Sequence, residues 1–191
     1  MLGSRDVVDL YTKILVRLEK SFDTLFSSPS SMLDERIPSL VGRILSLVSV
    51  SRHGLSEAEL LGALGLPRAI ASPLLRALQE SLLSSSGSLV CHHSALEQAI
   101  SERYLNQPLQ TSAAHSLLAD YFEKFPSADP RRLSELPYQL LLAGDHSRLR
   151  SLLTSINTIQ ALTSTDSGRL ELAEYWRALG LSDAGRYYEV N

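Results

Sequence analysis

The stretch SRHGLSEAELLGALGL, residues 51–66, contains the strongest helix start signal in the chain. The Ser56 hydroxyl can accept a hydrogen bond from the first helical turn, and Glu59, three residues later, can accept one from the backbone of Ser56. Gly65 readily adopts the left-handed conformation that commonly ends a helix. The stretch therefore predicts a short helix that follows a tight turn at Gly54 and stops at Gly65.

Two further helices flank this one. Residues 36–51 carry a continuous apolar stripe at helical spacing, which predicts a buried helix; the stripe comprises Ile37, Leu40, Val41, Ile44, Leu45 and Val48. After the Gly65 turn, the Ser72-Pro73 pair fits a cap followed by proline at the first helical position. A helix that begins near residue 68 and is kinked at Pro73 is the alternative.

A hairpin and another helix follow. The β-like segments 80–84 and 88–92 flank Ser85-Ser86-Gly87, a sequence that favours a tight hairpin turn. Ser94 and Glu97 then repeat the capping-box spacing, which predicts that Ser94 caps the next helix. Helix, helix, tight turn, helix and hairpin is the order of a winged helix, a helix-turn-helix unit with a β wing, and we assign it to residues 36–107.

The rest of the chain indicates helices only. A lead-in helix is predicted over residues 6–26, with a stripe formed by Val7, Leu10, Tyr11, Ile14, Leu18 and Leu25, and a loop is predicted over 27–35. Later helices are predicted near 111–125, 129–143, 145–154, 156–163 and 167–179, and another begins after 180. The expected fold is mainly α, with a lead-in at 1–35, the winged helix at 36–107 and a helical spacer at 108–191 that begins an α-solenoid.

Charge and composition narrow the class of protein. The net charge is -3 and the pI is about 5.9, which argues against binding to nucleic acid or to acidic membranes. A single cysteine cannot form an internal disulfide, and this favours a reducing compartment. The chain has no apolar run near the roughly 18 residues that a membrane span needs, and its charged N-terminus has no signal-peptide core. We expect an intracellular, cytoplasmic protein without a membrane segment.

The stretch CHHSALEQAISERYL, residues 91–105, places the only cysteine and two adjacent histidines ahead of an amphipathic helix. Successive residues of a strand point to opposite faces, so Cys91, His92 and His93 cannot converge on one metal ion. Cys91 has no orienting group of the kind that a nucleophile needs, which favours a small core residue. We predict no metal site and no catalytic residue.

Catalytic and phosphate-binding motifs are absent from the sequence, which contains neither GxxxxGK[ST] nor GxGxxG. No paired carboxylates or Ser/His/Asp arrangement rises above chance, so we expect neither enzyme activity nor a cofactor bound by this chain alone. The would-be recognition helix carries Arg68 and Arg76 but also Glu80, and the hairpin tip has no lysine or arginine. This charge pattern argues against DNA binding by the winged helix.

The fragments VDLYTKILVRLEKSF, ILSLVSVSRHGLSEAELLGALGL, LVCHHSALEQAISERYL, HSLLADYFEKF, RRLSELPYQLLLAGDHSRLRSLL and ELAEYWRALG occur in this order between about residues 7 and 180. In this order they resemble the region after the ATPase core of NACHT-type signal-transduction NTPases (the STAND class), and nephrocystin-like proteins with tetratricopeptide repeats in particular. The resemblance implies a winged helix and a helical spacer that lead into TPR-like repeats.

The resemblance also implies a mechanism. In such proteins an upstream P-loop core binds ATP or ADP, and the nucleotide state opens or closes the assembly. This chain lacks that core, so it would be a regulatory and scaffolding segment. It would couple the core to a repeat domain that holds protein partners, in a setting that includes the primary cilium and Wnt signalling. A winged-helix histidine ahead of a helix ending in Tyr-Leu touches the β-phosphate of ADP in many relatives, and alignment on Tyr104-Leu105 makes His93 that residue. A shift of one residue would make it His92.

Two other functions stay open at this point. One is a winged helix that binds nucleic acid, which salt-dependent binding to duplex DNA would support. The other is a freestanding helical adaptor that binds a partner protein in a groove of residues 108–191. An exposed apolar patch on that array, rather than on the winged helix, would favour the adaptor.

Overall fold

A computed structural model describes residues 4–26, 39–78, 82–85 and 87–180. Within these residues the chain has ten helices and one two-stranded antiparallel sheet. The prediction of a mainly α fold is therefore confirmed. The chain divides into two units, Met1–Ala114 and His115–Asn191.

The first unit contains a lead-in helix, three short helices, a hairpin and a fifth helix. Their bounds are α1 (Ser4–Phe26), α2 (Leu40–Val50), α3 (Glu57–Leu64), α4 (Arg68–Leu78), β1 (Leu82–Ser85), β2 (Ser88–Cys91) and α5 (Ser94–Tyr104). The next helix, α6 (Pro108–Phe122), contains the boundary between the two units.

The capping box predicted at Ser56 and Glu59 is present at the start of α3. The Ser56 hydroxyl accepts from the backbone N–H of Glu59, and the Glu59 carboxylate accepts from the backbone N–H of Ser56 at 2.8 Å. Gly65 ends α3 in the left-handed conformation, with φ 63°. The core of this unit forms where the helical stripes predicted it: Val41, Ile44, Leu45, Val48, Leu74, Leu75, Leu78, Leu96, Ala99, Ile100 and Tyr104 are buried.

Helices α2 and α4 begin at other residues than their sequence signals indicated. The helix expected over 36–51 begins at Leu40, because Ser39 is its cap and accepts from the N–H of Gly42 at 2.9 Å. Ile37 and the loop 27–35 lie outside the described residues. The Ser72-Pro73 pair is not a helix start, since α4 runs from Arg68 and contains Pro73. The alternative start near residue 68 is therefore correct.

The lead-in helix buries a face that overlaps the predicted one only in part, since Val7, Tyr11 and Leu18 of the predicted stripe are half-buried. Val8 and Leu15 are buried, whereas Leu10 and Ile14 are 52% and 37% exposed. The prediction was wrong for Leu10 and Ile14, and the side chain of Leu25 lies outside the described residues. The face that packs on the unit follows the spacing of Val8, Leu15 and the polar residue Glu19, with Tyr11 and Leu18 beside them.

The hairpin lies close to its predicted position. Leu82 pairs with Cys91 and Ser85 pairs with Ser88, so Ser85 belongs to the strand rather than to the turn. Gly87 has φ 85°, as a tight turn requires. The start of the first predicted segment, including Glu80, lies outside the described residues.

The second unit is a series of short helices after the C-terminal part of α6: α7 (Pro130–Ala143), α8 (His146–Thr154), α9 (Ile156–Thr163) and α10 (Asp166–Ala178). Each of these packs against its neighbour in sequence. Asp129 caps α7 and Gly144 ends it in the left-handed conformation, as predicted. The helix expected over 111–125 is displaced, because α6 begins at Pro108 and ends at Phe122. The helix expected after residue 180 falls outside the described residues.

Candidate functional site

A cleft beside the hairpin in the first unit has a volume of about 500 Å³. Its lining includes the end of α2, the turn at residues 51–54, strand β2 and the first turn of α5. The side chains with ionisable groups in the lining are Arg52, His53, Cys91, His92 and Glu97. The lining of the cleft therefore contains the guanidinium of Arg52, the imidazoles of His53 and His92, and the carboxylate of Glu97.

The turn at one wall of the cleft is fixed against the hairpin. Leu55 and Leu89 exchange two backbone hydrogen bonds, of 3.2 and 2.7 Å. Gly54 has φ 74°, and a Cβ there would lie 2.6 Å from the carbonyl oxygen of Leu89. Because the backbones approach so closely, a glycine is required at this position.

The structure separates the two adjacent histidines. His92 lines the cleft together with His53 and Arg52. His93 is exposed at the cap position of α5, and its ring centroid lies 6.2 Å from that of Tyr11 in α1. Adjacent residues at the end of a strand point in different directions, and only one of these two faces the cleft.

Helix α5 begins without a side-chain cap. The His93 carbonyl accepts from the N–H groups of Leu96 and Glu97, at 2.8 and 3.0 Å. His93 is therefore the cap residue and Ser94 the first helical residue, so the prediction that Ser94 caps the helix was wrong. The helix thus begins one residue earlier than the Ser94–Glu97 capping-box spacing requires.

Cys91 is half-buried at the cleft. Burial, with a smaller contribution from the Glu97 carboxylate, raises the pKa of its thiol to about 12. A thiol with such a pKa stays protonated at neutral pH and is a weak nucleophile. Within the residues that the structure describes, no three histidine, cysteine or acidic side chains lie close enough together to hold a metal ion.

A buried set of hydrogen-bonded polar side chains, which the sequence did not reveal, lies between α6 and α7. The Nδ1 atom of buried His115 lies 2.6 Å from Gln139 Oε1, and Gln139 Nε2 donates to Glu135 Oε2 at 2.9 Å. Glu135 also pairs with Arg131 at 3.4 Å. Since Gln139 Oε1 can only accept, the His115 ring donates from Nδ1. Gln139 and Glu135 are fully buried.

Acidification is expected to destabilise the second unit through His115. Burial lowers the pKa of His115 below its ordinary value of 6.5, and the hydrogen bond to Gln139 offsets part of this effect. Above pH 6.5 the imidazole is neutral in both states and contributes nothing. As the pH falls below 6.5, the unfolded chain takes up the proton first, so the free energy of unfolding decreases.

The measurement is the free energy of unfolding between pH 7.5 and pH 5 for the wild type and His115→Gln. The groups that face His115 are Gln139 directly, Glu135 and Arg131 through it, and Tyr138, whose ring centroid is 6.2 Å away. We expect a shallower slope in the variant, and an unchanged slope in the control His146→Gln, which alters an exposed histidine. Equal slopes in wild type and His115→Gln would contradict this assignment.

The surface of the second unit exposes apolar side chains at Leu142, Ile156 and Leu170, which are 45%, 68% and 69% exposed. Arg148 joins two of its helices by pairing with Asp120 at 2.9 Å and with Glu123 at 2.6 Å. Among the described helices, none has both the length and the apolar composition that crossing a lipid bilayer takes.

Comparison with known proteins gives three relatives. The chain is 27% identical over 183 residues to TPR repeat-containing protein DDB_G0287407 of Dictyostelium discoideum, which covers 94% of this chain and 10% of that protein. It is 26% identical to mouse nephrocystin-3 over 94% of this chain and 13% of that protein, and 28% identical to the human protein over 82% and 12%. No family model and no solved structure matches the chain. The chain thus spans about a tenth of the length of these relatives and is similar, along most of its own length, to part of a TPR repeat-containing protein and of nephrocystin-3.

Proposed function

We propose that this chain is a non-catalytic regulatory and scaffolding segment of a NACHT-type protein. Residues 36–107 would act as a winged helix that packs on an upstream P-loop domain, and residues 108–191 as a helical array that binds protein partners. The observation that carries the proposal is the similarity to a TPR repeat-containing protein over 94% of the chain. Each helix from α7 to α10 packs on its sequence neighbour, the arrangement on which helical repeat proteins are built.

The order of elements in the first unit supports the winged helix. Helices α2, α3 and α4 precede the hairpin, and the Leu55–Leu89 bridge adds a third short strand-like segment beside β2. The charges of this unit favour packing over DNA binding. Arg68, at the start of α4, pairs with Glu57 at 2.9 Å, so its guanidinium is shared with a carboxylate of the preceding helix.

Binding of partners through the array can be tested at Ile156 and Leu170. Both are large, apolar and exposed, so replacing them by lysine should disturb contacts with a partner and leave the fold intact. The full chain is used as bait, and the captured proteins are quantified for the wild type, Ile156→Lys and Leu170→Lys. Gln160→Lys, at an exposed polar position of α9, is the matched control.

We expect captured proteins whose recovery falls about tenfold or more in Ile156→Lys or Leu170→Lys and stays at the wild-type level in Gln160→Lys, a loss of about 1.4 kcal/mol of binding energy. Equal recovery across all four baits would contradict a partner site at these residues of the array.

The nucleotide part of the proposal rests on His93. Its imidazole is exposed at the start of α5 and could donate to a diphosphate oxygen held by the upstream domain. The alternative is His92, which lines the cleft beside His53 and Arg52. ATP or ADP would be bound by the upstream domain, because this chain has no phosphate-binding loop of its own. The resemblance to nephrocystin-like proteins is what supports a ciliary and Wnt-signalling setting.

A further inference from the structure

Helix α1 lies along α5 and touches it near both ends. Tyr11 of α1 contacts the ring of His93 at the start of α5, and Glu19 bonds to Arg103 and Tyr104 at its end. The order of these contacts means that the two helices run parallel. Helix α1 also packs against α2.

Glu19 of α1 binds polar side chains at the start of α2 and at the end of α5. Its carboxylate accepts from the Ser39 hydroxyl at 3.0 Å, from the Tyr104 hydroxyl at 2.8 Å and from the guanidinium of Arg103. Gly42 makes room for this arrangement, since a Cβ there would lie 2.8 Å from the Tyr104 ring. Burial, together with the bond to Glu19, raises the pKa of Tyr104, so its hydroxyl stays protonated and donates.

The apolar attachment of α1 is less complete than that of α2. Val8 and Leu15 are buried and Val7, Tyr11, Val16, Leu18 and Phe22 are half-buried, whereas most residues of α2 are fully buried. Hydrogen bonds to a charged group are stronger than those between neutral groups, so the three partners of Glu19 make it a substantial part of the attachment. Without Glu19, Ser39 would still cap α2, and Arg103 is partly exposed and can be solvated by water.

We propose that α1 is a releasable strap, a helix that can detach from α2 and α5 while they stay folded. The hydrogen bonds of Glu19 are the catch that holds this strap in place. In the closed state α1 covers part of α2 and α5 and holds Tyr11 against His93. In the open state α1 leaves this surface while α2 to α5 stay folded. The proposal goes beyond the scaffolding function, because it gives the first unit two states without requiring a nucleotide or a partner.

The test is amide hydrogen exchange of the full chain in the native state, read by mass spectrometry. Glu19→Gln removes the charge and one acceptor oxygen from the catch. We expect exchange in α1 to speed up about 10- to 100-fold, as the loss of hydrogen bonds to a charged group implies, with exchange in α2 and α5 close to the wild type. The matched control is Asp9→Asn, which breaks an exposed pair with Lys13 on the same helix and should change little.

Three results would overturn the proposal. One is an equal acceleration of exchange in α1, α2 and α5, which would make α1 part of a single cooperative core. Another is unchanged exchange in α1 of Glu19→Gln. If Glu19→Gln does not fold, Arg103→Gln takes its place, since it loosens the catch from the α5 side and leaves the Ser39 and Tyr104 bonds in place. Failure of both variants to fold is the third result, because release of a strap must leave the rest of the unit folded.

Discussion

Trp176→Ala is expected to lower the free energy of unfolding of the second unit by about 3–5 kcal/mol. Trp176 is the only tryptophan and is 1% exposed, on a helix that packs against α9 and α7. Its removal leaves a cavity that the surrounding short helices cannot close completely. For a unit of this size the melting temperature should fall by more than about 10 °C.

Circular dichroism at 222 nm is the suitable probe, because the substitution removes the tryptophan that fluorescence would follow. Leu170→Ala is the control on the same helix, and its 69% exposed side chain should contribute within about 0.5 kcal/mol. A loss in Trp176→Ala no larger than that of Leu170→Ala would show that α10 is not part of the core.

Gln139→Leu is expected to lower the free energy of unfolding of the same unit by about 3 kcal/mol. Leucine has a similar size, but it removes the acceptor for His115 and the donor to Glu135. Two buried polar groups lose a partner together, and each such loss costs about 1–3 kcal/mol. The loss is measured by denaturant unfolding at pH 7.5, where the ordinary pKa of histidine leaves His115 neutral.

Gln160→Leu makes the same chemical change at an exposed position of α9 and should stay within about 0.5 kcal/mol of the wild type. If both substitutions had the same small effect, the polar chain from His115 to Arg131 would have no role in stability.

Local signals in the sequence predicted most of the helices. The capping box at Ser56, the Asp129-Pro130 start and the glycines at 65 and 144 each act within one turn of backbone. The buried stripes of α2 and α5 were predictable for the same reason, because a 3.6-residue period defines one face.

The wrong predictions concern positions at which contacts with distant residues determine the structure. Pro73 lies within α4 although its lack of an N–H would favour a helix start, since tertiary packing of Leu74, Leu75 and Leu78 holds the helix together. The buried face of α1 depends on where α5 places Arg103 and Tyr104, some 84 residues away along the chain. No local pattern carries that information.

The candidate site was predictable only in part. The sequence identified both His92 and His93, but the direction of each side chain depends on the strand register and on Tyr11 in α1. The cleft beside His92 also needs Arg52 and His53, which the sequence left as residues of a turn. Glu19 and the His115–Gln139–Glu135 chain were missed, because their partners lie far away in the sequence or have no distinctive spacing.

The most direct test of the proposed nucleotide contact is the ADP affinity of a chain extended upstream to include a P-loop domain. The wild type is compared with His93→Ala and His92→Ala. We expect His93→Ala to weaken ADP binding by about 1–3 kcal/mol, through the loss of a charge-assisted contact, while the control His92→Ala leaves it unchanged. Unchanged ADP affinity in both variants, or the lack of an upstream P-loop domain, would contradict a nucleotide-sensing role and leave a helical interaction module.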